Sequence, residues 1–291
     1  METATFVMQC TGNARIISCM SIIIHTPEEI EEMRKACRFA GELLDFLGPH
    51  VVPGITTNEL DRLCEEYTTS HGAVSAPLNY APPGHRPYPK SMCTSVNHQV
   101  CHGIPNDKPL KKGDIVNIDV TPRLNGWHGD SSRMYIVGGE DAAPPYVSRL
   151  CRVTYESMWK GILEVRPGAH LGDVGHAIQK YVESHGYSVV REFCGHGVGR
   201  DFHTDPQVLH YGRPGTMEEL VPGMIFTIEP MVNAGRREIK EGPDGWAIVT
   251  KDRSLSAQWE HAVVVTPTGY EVLTLSPGMP ALPDFVHATA T

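Results

Sequence analysis

The chain has 291 residues, with 25 Lys plus Arg against 34 Asp plus Glu, 41% hydrophobic and 20% charged residues. That balance excludes disorder, collagen and coiled coil as whole-chain descriptions, and a formal charge of -9 argues against nucleic acid or an anionic membrane as the main partner. No apolar run approaches the roughly 18 residues of a bilayer-spanning helix, and the eight cysteines, without a Cys-x-x-Cys pair, predict free thiols in a reduced, cytoplasmic setting.

Residues 1–20 read as an N-terminal extension. One Arg, Arg15, followed by the apolar Ile16 to Ile24 makes a poor signal peptide, and Met20 is an alternative start. Thr26 caps a first helix, with Pro27 at its first position and Glu29 closing a capping box. Ile30, Met33, Cys37, Ala40, Leu44 and Leu47 then recur at helical spacing up to Gly48 and Pro49. Thr57 to His71 predicts a second helix, Pro145 to Val165 a third and Leu171 to His185 a fourth. Strands are expected at Ile115 to Val120, Arg133 to Val137, Met224 to Ile228 and Ala262 to Thr266. Residues 21–275 form one domain on this reading, and the proline-containing tail 276–291 is expected to be extended or disordered.

The two halves repeat each other. Val51, Pro53, Gly54, Tyr67, Ser70, His71 and Gly72 are answered by Val165, Pro167, Gly168, Tyr181, Ser184, His185 and Gly186. His102-Gly103-Ile104 is echoed by His196-Gly197-Val198, and the run from Gly113 to Asp119 by the run from Gly223 to Glu229. Each half then heads a further strand with an acid, Asp130 or Glu260. Such a repeat far exceeds the roughly 20 to 50 residues of solenoid units. It predicts an α+β fold whose similar halves face each other across an approximate two-fold axis.

On that axis each half brings one histidine and two carboxylates: His102, Asp119 and Asp130, then His196, Glu229 and Glu260. Taken alone, an acid ending a strand is usually a solvated turn residue; the paired recurrence is what marks these. Leu124-Asn125-Gly126 reads as the turn that returns Asp130 beside Asp119. Four carboxylates in a poorly solvated site repel strongly. Two divalent cations balance them, and an oxygen-rich set with one imidazole suits Mn, Fe, Co or Zn. The Gly-rich stretch around His196 lacks the glycine spacing of a dinucleotide fingerprint.

Cys101-His102-Gly103-Ile104-Pro105, Gly113 to Val120, His128-Gly129-Asp130, Gly195-His196-Gly197-Val198-Gly199, Phe226-Thr227-Ile228-Glu229-Pro230 and Ser256 to His261 together resemble the methionine aminopeptidases, in their short bacterial type I form. The resemblance spans roughly residues 21 to 275 and implies the pita-bread fold: pseudo-two-fold related halves, antiparallel sheet inside and helices outside. It implies that Asp119 chelates one metal, that Asp130 and Glu260 bridge two, and that His196 and Glu229 complete the second site. Glu229 would also shuttle a proton, His203 would steady the tetrahedral oxyanion, and His102 would hydrogen-bond the substrate amide rather than bind metal.

The same resemblance places the methionine pocket at Tyr80, Tyr88, Cys93, Phe202 and Trp246, an aromatic and thiol lining suited to a thioether. Residues 81–87 look inserted between the two tyrosines, which leaves the position of Tyr80 open, and on burial alone Phe202 and Trp246 could be ordinary core. Asn97 and Ser256 match a monovalent-cation site. The expected activity is removal of the initiator methionine from nascent polypeptides, near the ribosome in the cytoplasm and by a monomer, when the second residue is small. The rival readings are a proline-directed aminopeptidase or prolidase of the same fold and a catalytically inactive pita-bread binding module.

Overall fold

The computed structural model describes residues 22–287. The expectations for residues 1–20, and those for Cys10 and Cys19, lie outside the described residues; Cys37, Cys64, Cys93, Cys101 and Cys151 are buried free thiols, and Cys194 is buried as well. No helix among the described residues is long and apolar enough to cross a membrane.

Four long helices stand where the periodicity predicts them: α1 at Pro27–Leu47, α2 at Thr57–Ser70, α3 at Pro145–Ile162 and α4 at Leu171–Ser184. The capping box of α1 is formed, Thr26 Oγ1 accepting from the Glu29 amide at 3.3 Å and Glu29 Oε2 from the Thr26 amide at 3.0 Å. Helix α3 stops three residues short of the expected Val165. Pro167 disfavours helical backbone at the residue before it, and Val165 N–H closes a tight last turn on the Ile162 carbonyl at 3.0 Å.

Each helix pair covers an antiparallel sheet. In the first half the order is Cys93–Val96, Ile115–Val120, Ser131–Ile136; in the second, Thr204–Val208, Gly195–Gly197, Ile225–Ile228, His261–Thr266, Gly269–Val272. The first sheet packs Val116, Ile118 and Val120 against Leu44, Leu47 and Leu60, and the second packs Phe226, Ile228 and Val263 against Met158, Ile162 and Ile178. A third cluster sets Met33, Ala36 and Cys37 of α1 against Ile225, Ala262 and Val264, so α1 joins the halves. Burying such side chains stabilises by roughly 1.5–3 kcal/mol each before entropy is counted.

The repeat is visible atom by atom. His71 Nδ1 meets the Tyr67 carbonyl at 2.8 Å and His185 Nδ1 meets the Tyr181 carbonyl at 2.8 Å. Both helices then end on a glycine with positive φ, Gly72 at 73° and Gly186 at 81°, a backbone region that favours glycine. Gly113 N–H bonds to Val137 O and Gly223 N–H to Val265 O, both at 2.9 Å. The predicted Asn125-Gly126 turn also forms: Leu124 pairs with Trp127, and both loop residues have positive φ, as a two-residue type I′ hairpin requires.

The chain after Ser276 differs from expectation. Ser276 Oγ donates to Asp45 Oδ1 at 2.8 Å, Tyr155 Oη donates to the Pro280 carbonyl at 3.2 Å, and a short helix at Asp284–His287 lays the Phe285 ring 3.4 Å from Lys160 Nζ. Residues 276–287 are therefore a packed strap from α1 to α3. Proline content marked the absence of regular structure, but it carried no information about these polar anchors.

Candidate active site

Strand register places the acids. Asp119 lies opposite Ser132, and Asp130 immediately precedes the Ser131–Ile136 strand. Glu229 follows Ile228, which pairs with His261, so Glu260 stands across from Glu229. The two halves meet at this point: Glu260 N–H bonds to the Ser132 carbonyl at 3.2 Å, and Ser131 Oγ donates to the Glu260 carbonyl at 2.9 Å. His196 sits mid-strand between Gly195 and Gly197, where a Cβ at either glycine would run into the Thr227 or Asp205 backbone carbonyl.

All five residues line one pocket of about 80 Å³. Ligand atoms of Asp130, His196 and Glu260 fall within 4.8 Å of one another. His196 Nε2 lies 3.4 Å from Asp130 Oδ2 and 3.7 Å from Glu229 Oε1. Burial, then the charges of Asp130 and Glu229, raises Asp119 well above the usual carboxylate range. Burial also raises Glu260 and pushes Glu229 up to about 7. For His196, burial works against protonation, but the hydrogen bond its ring N–H donates to Asp130 and the charges of Glu229 and Asp130 prevail and lift it to about 9.

No Lys or Arg forms an ion pair with these four acids among the described residues. A protonated imidazole alone cannot balance them, since two unit charges about 4 Å apart interact by roughly 4 kcal/mol even at an effective dielectric near 20. The donor set, carboxylate oxygens with one imidazole, fits divalent cations of the hard or borderline kind.

The two repeat-related histidines have different surroundings, His196 among the acids and His102 among aromatic rings. His102, with φ of 55°, lies against Phe193 and Trp246 at 5.4 and 6.3 Å between ring centroids and makes no ion pair with an acid among the described residues. Burial lowers it to about 4, so it is neutral. Burial, then the charge of His196, holds His203 well below its ordinary value. Its Nδ1 meets the Tyr80 hydroxyl at 3.1 Å.

Tyr80, whose position the sequence left open, lines the pocket with Tyr88, Cys93, Phe202 and Trp246. Its neck is tied: Tyr88 N–H bonds to the Tyr80 carbonyl and Asn79 N–H to the Tyr88 carbonyl, both at 2.8 Å, so the residues between loop outward. Tyr88, Cys93 and Trp246 form a small cluster apart from the main cores, and Phe202 stacks on His203 at 4.1 Å. Neither aromatic is ordinary core. Asn97 and Ser256 are not in this pocket. They adjoin each other elsewhere, Ser256 N–H bonding to the Asn97 carbonyl at 2.9 Å, while Asn97 Oδ1 accepts from the Ile115 amide at 3.0 Å.

Sequence reasoning missed the residues that hold the acids. Thr121 Oγ1 donates to Asp130 Oδ1 at 2.8 Å, Thr227 Oγ1 to Glu229 Oε1 at 2.8 Å, and Gln258 Nε2 to Glu229 Oε2 at 3.2 Å. The Glu229 amide donates to His210 Nε2 at 3.1 Å.

The chain is similar to known proteins in sequence and fold. Residues 31–267 match the model of metallopeptidase family M24. The methionine aminopeptidase of Rickettsia prowazekii is 57% identical over 259 residues, 89% of this chain and 97% of that protein. That of Escherichia coli K12 is 56% identical over 259 residues, 88% and 95% of the two chains. The crystal structure of the Rickettsia prowazekii enzyme aligns with a TM-score of 0.84 at 55% identity, over 88% of this chain and all of the other. The chain belongs to metallopeptidase family M24, with its pita-bread fold and its use of divalent metal, and within it to the methionine aminopeptidases.

Proposed function

We propose that this chain removes the initiator methionine from nascent polypeptides when the next residue is small, using two divalent cations drawn from Mn, Fe, Co and Zn. The observation that carries the reading is the convergence of Asp119, Asp130, His196, Glu229 and Glu260 in a pocket also lined by Tyr80, Tyr88, Cys93, Phe202 and Trp246. Asp119 would hold one ion and His196 and Glu229 the other, with Asp130 and Glu260 serving both. Held there, the ions supply Lewis acidity toward the scissile carbonyl and the attacking water.

The protein groups do the rest. Glu229 takes the proton from the water and passes it to the leaving amine. With the Tyr80 hydroxyl donating to Nδ1, the single proton of neutral His203 resides on Nε2, available to the oxyanion. His102 hydrogen-bonds the substrate amide, and the aromatic and thiol lining receives the methionine side chain. Action in the cytoplasm, near the ribosome and as a monomer, belongs to the same reading, as does a monovalent cation at Asn97 and Ser256.

Metal-loaded protein should cleave Met-Ala-Ser and leave a Gly-Pro dipeptide intact. Cleavage of Gly-Pro alone would replace this reading with a prolidase. Absence of stoichiometric divalent metal after equilibrium dialysis would replace it with a binding module.

A further inference from the structure

Trp246 borders two cavities. It lines the pocket that holds the acids, and it also lines a small adjoining recess of about 10 Å³ with His85, Glu241, Gly245 and Ile248; His102 and Phe193 border both spaces. The indole is thus one part of a partition that it forms with His102 and Phe193. Two of its contacts come from the loop between the two tyrosines: Trp246 Nε1 donates to the Arg86 carbonyl at 3.1 Å, and the His85 ring lies 5.5 Å from the indole at 45°; His102 faces it at 6.3 Å. On the pocket side Tyr88 meets it edge-on at 5.1 Å.

The main cores give little help, since Trp246 belongs to the separate cluster with Tyr88 and Cys93. Its own backbone is held by Asp244, whose Oδ1 accepts from the amides of Trp246 and Ala247 at 2.9 and 2.8 Å, but that does not orient the side chain. A buried indole N–H needs an acceptor, and leaving it without one costs about 1–3 kcal/mol. Pro82, Pro83 and Pro87 restrict the loop that presents this acceptor, and Pro82 is itself buried.

We propose that the 81–87 loop sets the selectivity of the methionine pocket by holding the Trp246 partition upright, with His85 as a positioning residue. The proposal rests on the reading of Trp246 as a wall of that pocket. With the partition loosened, the two cavities merge, the grip on methionine weakens, and other apolar N-terminal residues compete better. The His85 ring packs on Trp246 and not on the acids or His203, so the effect of replacing it falls on binding rather than on the chemical step.

The test compares His85→Ala, His85→Phe and Trp246→Ala on Met-Ala-Ser and Leu-Ala-Ser. His85→Ala should raise KM for Met-Ala-Ser about threefold to tenfold with kcat within about twofold, and lower the preference for Met over Leu by about threefold or more. His85→Phe, which keeps a ring against the indole, should restore both. A loop shortened by Pro83 to Arg86, which removes the carbonyl acceptor, should exceed the His85→Ala effect. Wild-type KM and preference in His85→Ala would overturn the proposal, as would a loss confined to kcat or a failure of His85→Phe to rescue. Trp246→Ala separates the two readings. If it alters KM and preference while His85→Ala does not, only the role of the loop falls; if it alters neither, the pocket reading falls with it.

Discussion

Thr227 donates its hydroxyl to Glu229 Oε1 at 2.8 Å while accepting the backbone N–H of His196 at 3.0 Å. One O–H group therefore couples two site residues carried on adjacent strands, which pair through Phe226 and Gly197. Thr227→Val keeps the shape and removes the hydroxyl. We expect kcat on Met-Ala-Ser to fall by about tenfold or more and divalent-metal affinity to weaken comparably, the usual scale for groups behind a ligand. Thr227→Ser should stay near wild type. Steady-state kinetics with calorimetric metal titration checks both, and an unimpaired Val variant would show that the coupling is idle.

Removing divalent metal should affect stability as well as activity. Burial and mutual repulsion raise Asp119, Glu229 and Glu260, so cations that bind the folded site stabilise it, by about 2.7 kcal/mol at a hundredfold excess over Kd. Dialysis against a chelator should abolish peptide cleavage and lower Tm, with Mn or Co restoring both. Glu229→Ala should lose turnover and show a smaller metal-induced Tm gain. A melting curve indifferent to chelation would contradict the charge argument.

The repeat made the architecture readable: the helix ends at His71 and His185 and the turns at Gly113 and Gly223 recur in sequence because the same hydrogen bonds recur in space. The acids were legible for the same reason. One support could have been found too, since side chains two apart on a strand share a face: Thr227 lies two before Glu229 and bonds to it, whereas Thr121 and Gln258 bond across to Asp130 and Glu229 rather than to the acids two residues away. His210 carries no such signal, because its bond to the Glu229 amide is tertiary. The packed strap after Ser276 was illegible on similar grounds, its partners Asp45, Arg133 and Tyr155 being distant in sequence.

Gly103 is a sensitive point beside His102. An added Cβ would strike the Thr94 backbone carbonyl. The strand cannot easily yield, because Thr94 N–H and the Tyr88 hydroxyl both donate to the Gly103 carbonyl, at 2.7 and 2.9 Å. Gly103→Ala should cost about 1–3 kcal/mol of stability, as overpacking does, and lower kcat by displacing His102. Urea denaturation and kinetics on Met-Ala-Ser test the pair of effects; wild-type values in both would mean that the contact relaxes without consequence.

The strap offers a pH test remote from the acids of the pocket. Arg133, whose side chain is 4% exposed, donates to Asp45 Oδ1 at 2.8 Å. Burial pushes the Asp45 carboxyl up, but the Arg133 hydrogen bond, the Gly278 amide, the Ser276 hydroxyl and the Arg133 charge outweigh it and hold the group below its ordinary value. A carboxyl with a lower pKa folded than unfolded stabilises the fold fully above the unfolded value, near 3.9. That contribution fades as pH falls through the lower folded value. Asp45→Asn should therefore cost about 1–2 kcal/mol at pH 7, where it leaves Arg133 short of its anion. The gap from wild type should narrow below about pH 4. Paired urea titrations across that range measure it, and a gap that widened on acidification would reverse the sign of the linkage.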